Sequence, residues 1–239
     1  MRLLILSLGL AICAACQSPN PHSTMNSVDT PAAAPASFET YWASLQDDMM
    51  AIPNGRQEAL LELSSFVRRQ LAEHDTAELI FICTHNSRRS HLGQIWAQIA
   101  ADQLGIQGVK TYSGGTEATA FNARAVESLM RAYVNVEPPN FISENPPYRI
   151  HLPSGKGSFE CWSKTYDDAA NPNGGFGAIM TCSEADAACP NVSGAQFRLS
   201  LPYVDPKVSD GTGAEDSTYD ARCRQIAAEM RWAFEQIKH

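Results

Sequence analysis

Residues 80–90 have the sequence Ile80-Phe81-Ile82-Cys83-Thr84-His85-Asn86-Ser87-Arg88-Arg89-Ser90, and this stretch decides the fold. Residues 77–82 are almost wholly apolar and predict a short strand that is buried on both faces. A polar loop follows, and then the pattern predicts a helix over about residues 90–104. A loop that enters a helix N-terminus points several backbone N–H groups into one concavity, where the helix dipole adds positive charge. The stretch therefore predicts an oxyanion-binding loop.

The side chains of this loop favour a cysteine nucleophile. Arg89 can bind two oxygens of a tetrahedral oxyanion such as phosphate or arsenate through a bidentate fork. The same positive field stabilises the Cys83 thiolate, and Ser90 can donate a hydrogen bond to its sulfur. The alternative is a buried inert cysteine, but such cysteines rarely open into a polar turn at a helix start. Besides Cys83 and Arg89, the predicted oxyanion-binding residues are Thr84, His85, Asn86, Ser87, Arg88 and Ser90.

Strands and helices alternate through the rest of the chain. Further strands are predicted over residues 108–112, 176–181 and 197–201, and further helices over 122–133 and 219–237. This alternation indicates an α/β fold with a parallel sheet that is covered on both faces.

Two segments stand apart from the alternation. Two amphipathic helices, over residues 38–50 and 56–73, precede the first strand, with a Pro53-Asn54-Gly55 turn between them. Residues 143–175, rich in proline and glycine, predict an inserted hairpin or long loop. An insert of this size is either functional or decorative, and the sequence favours neither.

The N-terminus has the pattern of a signal peptide. Arg2 precedes a ten-residue apolar run that is too short to span a bilayer, and small residues lead to Cys16. The ending resembles a bacterial lipoprotein cleavage site with Cys16 as the lipid-bearing residue; simple secretion is the alternative. We expect an exported, membrane-anchored lipoprotein facing the periplasm. Its predicted parts are a leader (1–16), a flexible linker (17–36), a helical extension (37–76) and a catalytic domain (77–239).

Charge and cysteine content narrow the function classes. The net charge of −8 without a basic stripe argues against nucleic-acid binding, which depends on phosphate neutralisation. Five cysteines remain once Cys13 and Cys16 are set aside, and an odd number in an exported protein suggests at least one free thiol. The motifs call for neither a metal nor a cofactor.

Several motifs together resemble one family. They are the loop from Cys83 to Ser90, Tyr112-Ser113-Gly114-Gly115-Thr116-Glu117-Ala118, Asn122-Ala123-Arg124-Ala125-Val126, Cys182-Ser183-Glu184-Ala185-Asp186-Ala187-Ala188-Cys189-Pro190, and Asp205-Pro206. This set resembles the low-molecular-weight protein tyrosine phosphatases and the thioredoxin-linked arsenate reductases, which share one fold. The resemblance covers about residues 77–237 apart from the insert, and implies a four-stranded parallel sheet flanked by helices.

The chain departs from the family pattern at two loop positions. His85 stands where the family usually has glycine, which questions how tightly the loop can turn. Arg88 stands where the family has a second cysteine, so it removes a near disulfide partner of Cys83. Arg88 either adds positive charge beside the anion or is exposed and solvated.

The resemblance also implies roles for three further residues and leaves two reactions open. Asp205 would be the general acid, on a loop stiffened by Pro206. In an arsenate reductase, Cys182 would attack the arsenic adduct of Cys83, Cys189 would take over the disulfide, and a thioredoxin-like partner would reduce it. In a tyrosine phosphatase, water would hydrolyse a phosphocysteine formed from a phosphomonoester such as phosphotyrosine.

The expected export of the protein bears on the choice between arsenate reduction and phosphate ester hydrolysis. An oxidising compartment favours a permanent, structural Cys182–Cys189 disulfide, which leaves only hydrolysis. The specificity of the two-cysteine motif nevertheless favours arsenate reduction. An oxyanion-binding lipoprotein without catalysis is a third reading, which the complete set of Cys83, Arg89 and Asp205 disfavours.

Overall fold

The structure, a computed structural model, describes residues 37–238. The predicted leader, the lipidation residue Cys16 and the linker lie outside these residues. In chain order the helices are α1 (Phe38–Met50), α2 (Asn54–His74), α3 (Arg89–Leu104), α4 (Ala123–Arg131), α5 (Ser183–Ala188) and α6 (Glu215–Glu235). The strands are β1 (Ala77–Cys83), β2 (Val109–Gly115), β3 (Asn135–Glu137), β4 (Tyr148–His151), β5 (Ser158–Cys161), β6 (Phe176–Met180) and β7 (Ala195–Ser200).

Four of the strands form the main sheet, in the order β2-β1-β6-β7. All three neighbouring pairs run parallel, which confirms the predicted four-stranded parallel sheet flanked by helices. Because β1 lies between β2 and β6, its carboxyl end is at the centre of one sheet edge, with Cys83 opposite Gly115. Ligands of open parallel sheets bind at this edge.

Alternate residues of β1 enter two separate apolar clusters. Leu79 and Phe81 face a large cluster built with the long helices, whereas Ile80 and Ile82 face a smaller one that includes Ala185 of α5. The two clusters explain why the β1 sequence is apolar at nearly every position rather than at every second one. Among residues 37–238, no helix is long and apolar enough to cross a membrane.

The two predicted N-terminal helices are present and belong to the main core. α1 begins after a capping box at Ser37, and α2 begins at Asn54, so Asn54 and Gly55 lie in its first turn rather than in a separate turn. α2 buries Leu60, Leu63, Phe66 and Val67 in the same cluster as the apolar face of α6.

The insert contains the predicted hairpin, and a strand that precedes the insert pairs with it. β4 and β5 pair antiparallel, and β3 joins β4 to complete a three-stranded sheet. β3 was not predicted, because three residues with one buried side chain, Val136, give no periodic signal.

The contact between α3 and β1 predicts a steric requirement at Gly93. A Cβ on Gly93 would lie 2.5 Å from Cδ1 of Phe81, whose side chain is fully buried and has no room to move. We expect Gly93→Ala to lower the free energy of unfolding by about 1–3 kcal/mol in urea denaturation, although alanine is the better helix former. Gly55 of α2 is the matched control because a Cβ there meets nothing within 4 Å. Equal stability of Gly93→Ala and Gly55→Ala would contradict this packing.

Candidate active site

The loop between β1 and α3 has the strand–loop–helix form expected of an oxyanion site. Cys83 ends β1, and Arg89 is the first residue of α3. The left-handed residue of the loop is Asn86, with φ of 43°, and asparagine tolerates this conformation better than most residues. His85 does not have a positive φ, so histidine in place of glycine does not strain the loop at that position.

A chain of hydrogen bonds ends at the Cys83 sulfur. The side-chain N–H of Asn86 donates to Ser90 Oγ at 2.9 Å, and Ser90 Oγ lies 3.1 Å from Cys83 Sγ. Because Asn86 occupies a lone pair of that hydroxyl, the hydroxyl proton is free to point at the sulfur. The backbone N–H of Lys164 donates to Asn86 Oδ1 at 2.8 Å, which fixes the orientation of the amide. The arrangement points a hydrogen-bond donor at the Cys83 sulfur.

Residues of the insert, together with Thr119 after β2, support this loop from outside. Ser163 Oγ and Thr119 Oγ1 each donate to the carbonyl oxygen of His85 at 3.0 Å. Asn145, in the loop before β4, holds Ser163 through two hydrogen bonds of 2.7 and 3.0 Å. The insert therefore contacts the loop directly and is not mere decoration. The sequence gives no signal for the roles of Ser163 and Lys164. Each of them contacts a loop residue that lies 78 positions earlier in the chain, and no local pattern connects residues so far apart.

Two consecutive arginines, Arg88 and Arg89, both pair with the carboxylate of Asp205. Arg89 Nη2 donates to Asp205 Oδ2 at 2.8 Å, and Arg88 donates to both carboxylate oxygens at 2.8 and 3.2 Å. Both guanidinium side chains are at most one-tenth exposed. The alternative in which Arg88 is exposed and solvated is therefore wrong, since this buried side chain faces the site and pairs with the half-buried carboxylate of Asp205.

Asp205 is held ionised in this arrangement. Partial burial alone would raise its pKa, but the hydrogen bonds and charges of Arg88 and Arg89, with the backbone N–H of Lys207, lower the pKa below its ordinary value. Asp205 also caps the 3₁₀ turn Pro206–Ser209, with Pro206 at its first position. The turn thus fixes where the carboxylate stands.

The carboxylate of Asp205 lies in the predicted oxyanion pocket, bound by the two arginines that would hold the anion. The pocket is lined by Cys83, His85, Ser87, Arg88, Arg89 and Asp205. It leaves about 10 Å³ for the centres of water molecules, which is room for about one water. A tetrahedral oxyanion therefore fits only if Asp205 moves away from the two arginines.

The second predicted thiol lies beside the loop. Cys182 is fully buried at the N-cap of α5, where its sulfur lies 3.5 Å from Thr84 Oγ1 and accepts from the backbone N–H of Ala185 at 3.4 Å. Thr84 directly follows Cys83, and Cys83 and Cys182 belong to the same buried cluster.

Cys189 lies at the other end of α5, as its half-buried C-cap residue. Seven residues at about 1.5 Å each place the Cys182 and Cys189 Cα atoms ~10 Å apart, whereas a disulfide needs roughly 4.4–6.8 Å. Both are free thiols in the structure. The expected permanent Cys182–Cys189 disulfide of the phosphatase alternative is thus contradicted, because the helix between them keeps the cysteines apart.

The remaining cysteines of the described chain are not placed for chemistry. Burial raises the pKa of Cys161 and of Cys223 to about 12 each, so both stay protonated at neutral pH. Within residues 37–238, no group of His, Cys, Asp or Glu side chains could hold a metal ion.

Sequence comparison finds arsenate reductases as relatives. The chain is 24% identical over 135 residues to arsenate reductase 2 of Staphylococcus epidermidis, which covers 55% of this chain and 80% of the relative. It is 26% identical over 129 residues to an arsenate reductase of Bacillus cereus, covering 54% and 75%. No protein-family model matches the sequence. The superfamily predicted from the sequence is confirmed.

Solved structures of low-molecular-weight phosphatases are similar at a lower level. A phosphotyrosine phosphatase from Vibrio cholerae has a TM-score of 0.45 and 11% identity, covering 68% of this chain and 97% of that chain. A mutant of YwlE from Bacillus subtilis has a TM-score of 0.46 and 15% identity, covering 69% and 100%. Arg88, which stands where the sequence resemblance predicts a cysteine, supplies one of the two ion pairs on Asp205.

The ion pairs of Asp205 predict a pH dependence of stability. The pKa of Asp205 is lower in the folded than in the unfolded protein. Its contribution to the free energy of unfolding is therefore complete above the unfolded-state pKa of about 3.9, and is lost as the pH falls through the folded-state pKa. We expect Asp205→Asn to lower the free energy of unfolding by about 1–3 kcal/mol at pH 7, since two buried arginines lose their counter-charge. The deficit should shrink between pH 5 and pH 2 in urea denaturation.

Asp47→Asn, at an exposed position of α1, serves as the control and should change stability little at any pH. A deficit of Asp205→Asn that stays constant from pH 7 to pH 2 would show that its carboxylate is not held by the two arginines.

Proposed function

We propose that this chain is an arsenate reductase in which Cys83 attacks arsenate held in loop 83–90. The observation that carries the proposal is the buried thiol of Cys182, whose sulfur lies 3.5 Å from Thr84 Oγ1, next to the nucleophile. Reduction needs a second thiol at that place, whereas hydrolysis of a phosphocysteine by water does not. The arsenate reductases among the relatives support the same reading.

Binding exchanges one anion for another. Arsenate displaces the Asp205 carboxylate and pairs with Arg88 and Arg89, while the loop N–H groups and the α3 N-terminus bind its remaining oxygens. The arginines never lose an anionic partner, so the exchange avoids leaving a buried charge unpaired.

In the first chemical step the Cys83 thiolate forms a bond to arsenic and one arsenate oxygen leaves as water. The leaving oxygen needs two protons: one is already present on an arsenate hydroxyl group, and the second comes from Asp205 or from a second hydroxyl group of dihydrogen arsenate. Once the anion has taken the arginines, Asp205 faces a like charge and no longer has its two positive partners, and both changes favour its protonated form. Asp205 is thereby converted from counter-ion to general acid by substrate binding.

In the second step the Cys182 thiolate attacks the Cys83 sulfur of the adduct. A disulfide forms between Cys83 and Cys182, and the electron pair of the sulfur–arsenic bond stays on arsenic, which leaves as arsenite. Arsenic is reduced by two electrons and the two thiols are oxidised by two, so the step balances. Ser90 continues to stabilise the Cys83 sulfur as the reaction proceeds.

In the third step Cys189 attacks Cys182 and releases the Cys83 thiolate. Since the two caps of α5 stand ~10 Å apart, this step requires the helix to unwind. Arg198 of β7 holds the end of α5 by donating to the carbonyl oxygens of Cys189 and Asp186 at 3.1 and 2.8 Å, and these bonds must break first. A thioredoxin-like dithiol then reduces the exposed Cys182–Cys189 disulfide and restores the enzyme.

Phosphomonoester hydrolysis is a second candidate, and the position of Asp205 favours it. A phosphatase needs Cys83, Arg89 and an acid at the pocket mouth, and Asp205 lies 2.8 Å from the Arg89 guanidinium. A phosphotyrosine or other aryl phosphate would then be hydrolysed through a phosphocysteine, without use of Cys182 or Cys189.

We further propose that the enzyme acts outside the cytoplasm, anchored through a lipid on Cys16. The support is the leader pattern of residues 1–16, and the proposal implies that the reductant is a thioredoxin-like protein of the same compartment. Two experiments test the anchor: treatment of cells that make the unmodified chain with globomycin, and metabolic lipid labelling of the unmodified chain beside Cys16→Ser.

The two resolving cysteines separate the two reactions. With arsenate and a thioredoxin system, we expect Cys182→Ser to release no arsenite, because nothing displaces the arsenic from Cys83. Cys189→Ser should release about one arsenite per chain and stop as a Cys83–Cys182 disulfide. Arsenite is measured in a rapid-quench assay, and hydrolysis of an aryl phosphate is measured on the same variants.

Cys223→Ala is the matched control, since this cysteine lies in the core on α6 and should leave arsenite turnover unchanged. Cys83→Ser should abolish both activities. Sustained arsenite turnover by Cys182→Ser rules out the proposed mechanism, and aryl phosphate hydrolysis without arsenite release in the unmodified chain makes it a phosphatase.

A further inference from the structure

Arg56, in the first turn of α2, has a largely buried side chain. Arg56 donates from Nε and Nη2 to a single oxygen of Glu229 on α6, at 3.0 and 2.9 Å. Its guanidinium also lies over the ring of Tyr203, 4.5 Å from the ring centroid. α2 lies before the region that resembles the superfamily, so this contact is an addition made by the N-terminal extension.

Glu229 joins Arg56 to Tyr203. The Tyr203 hydroxyl donates at 2.7 Å to the same Glu229 oxygen that binds Arg56, and Gln225 donates to the other oxygen at 2.9 Å. Burial, with the nearby Glu229 carboxylate, raises the pKa of Tyr203 well above its ordinary value, so the hydroxyl stays a donor. Tyr203 and Glu229 are each at most 4% exposed, and a buried cluster of this kind is rigid when every member has partners.

Tyr203 in turn holds the catalytic arginine. Its backbone carbonyl oxygen accepts from Arg89 Nη1 at 2.9 Å, while Arg89 Nη2 reaches Asp205, two residues further along the same segment. Anchoring the Tyr203 ring therefore fixes the backbone that orients the Arg89 fork and carries the acid. The bidentate grip on an oxyanion depends on this orientation.

We propose that Arg56 is a positioning residue of the oxyanion site, acting through Glu229 and Tyr203 on Arg89. Arg56 itself contacts neither the pocket nor Cys83. Through this residue the N-terminal helical extension helps to orient the active site. This inference rests on the proposed function only in that loop 83–90 binds a tetrahedral oxyanion, whichever reaction follows.

Phosphate protection of Cys83 measures that binding without turnover. The rate of Cys83 alkylation by iodoacetamide in the full chain, followed by mass spectrometry against inorganic phosphate concentration, gives a phosphate dissociation constant. We expect Arg56→Ala to weaken phosphate binding about tenfold and Arg56→Lys to weaken it less, since lysine keeps the charge but not the fork.

Arg224 supplies the matched control. It too crosses from α6 to the N-terminal extension, donating to Ser44 O and Asp48 Oδ2 at 2.7 and 2.6 Å and lying over the Tyr41 ring, but its contacts do not lead to Arg89. Arg224→Ala should lower the unfolding midpoint as Arg56→Ala does, and change phosphate affinity less than about twofold.

A double-mutant cycle distinguishes positioning from general destabilisation. In an Arg89→Lys background, Arg56→Ala should cost less than about twofold in phosphate affinity, because the group it positions has gone. Equal phosphate affinity of the unmodified chain and Arg56→Ala overturns this inference alone, and so does an additive loss in the Arg89→Lys background. A lack of phosphate protection in the unmodified chain overturns the proposed function and this inference together.

Discussion

Two buried guanidinium groups on consecutive residues need an anion between them, and the active site is organised around that need. Arg88 and Arg89 have lost most of their hydration, and a buried charge that has no ionic partner is destabilising. Asp205 is the partner in the resting protein. In the proposed mechanism an arriving oxyanion takes the same place, so substrate binding and the release of Asp205 are one event, and the acid becomes available only when the substrate is present.

The support for this arrangement comes largely from segments that the superfamily motifs do not include. Residues of the insert fix the Asn86 amide and the His85 carbonyl, and thereby the proton that Ser90 points at Cys83. The N-terminal extension reaches the opposite side of the site through Arg56. The loop is thus held from two sides by backbone and buried side chains, which is the condition for a preorganised oxyanion site.

The local parts of this structure were predictable and the long-range contacts were not. The strands and helices around loop 83–90 followed from apolar periodicity and from the polar turn after Cys83, because these depend on neighbours in the chain. The ionic partner of Arg88 lies 117 residues away and that of Arg56 lies 173 residues away, and no spacing rule connects such pairs. The sequence likewise does not predict β3, which pairs with a strand beyond a proline-rich loop. Nor does it predict that the α5 helix keeps the thiols of Cys182 and Cys189 apart.

The central claim is that two electrons pass from the cysteine thiols to arsenic, beginning with attack by Cys83, and that the resulting disulfide ends between Cys182 and Cys189. The most direct test is disulfide mapping of the chain after incubation with arsenate and no reductant, combined with the arsenite yield. The account predicts about one arsenite per chain and a single new disulfide, between Cys182 and Cys189, with Cys83 again a free thiol. A chain that keeps all its thiols and forms no arsenite would contradict it.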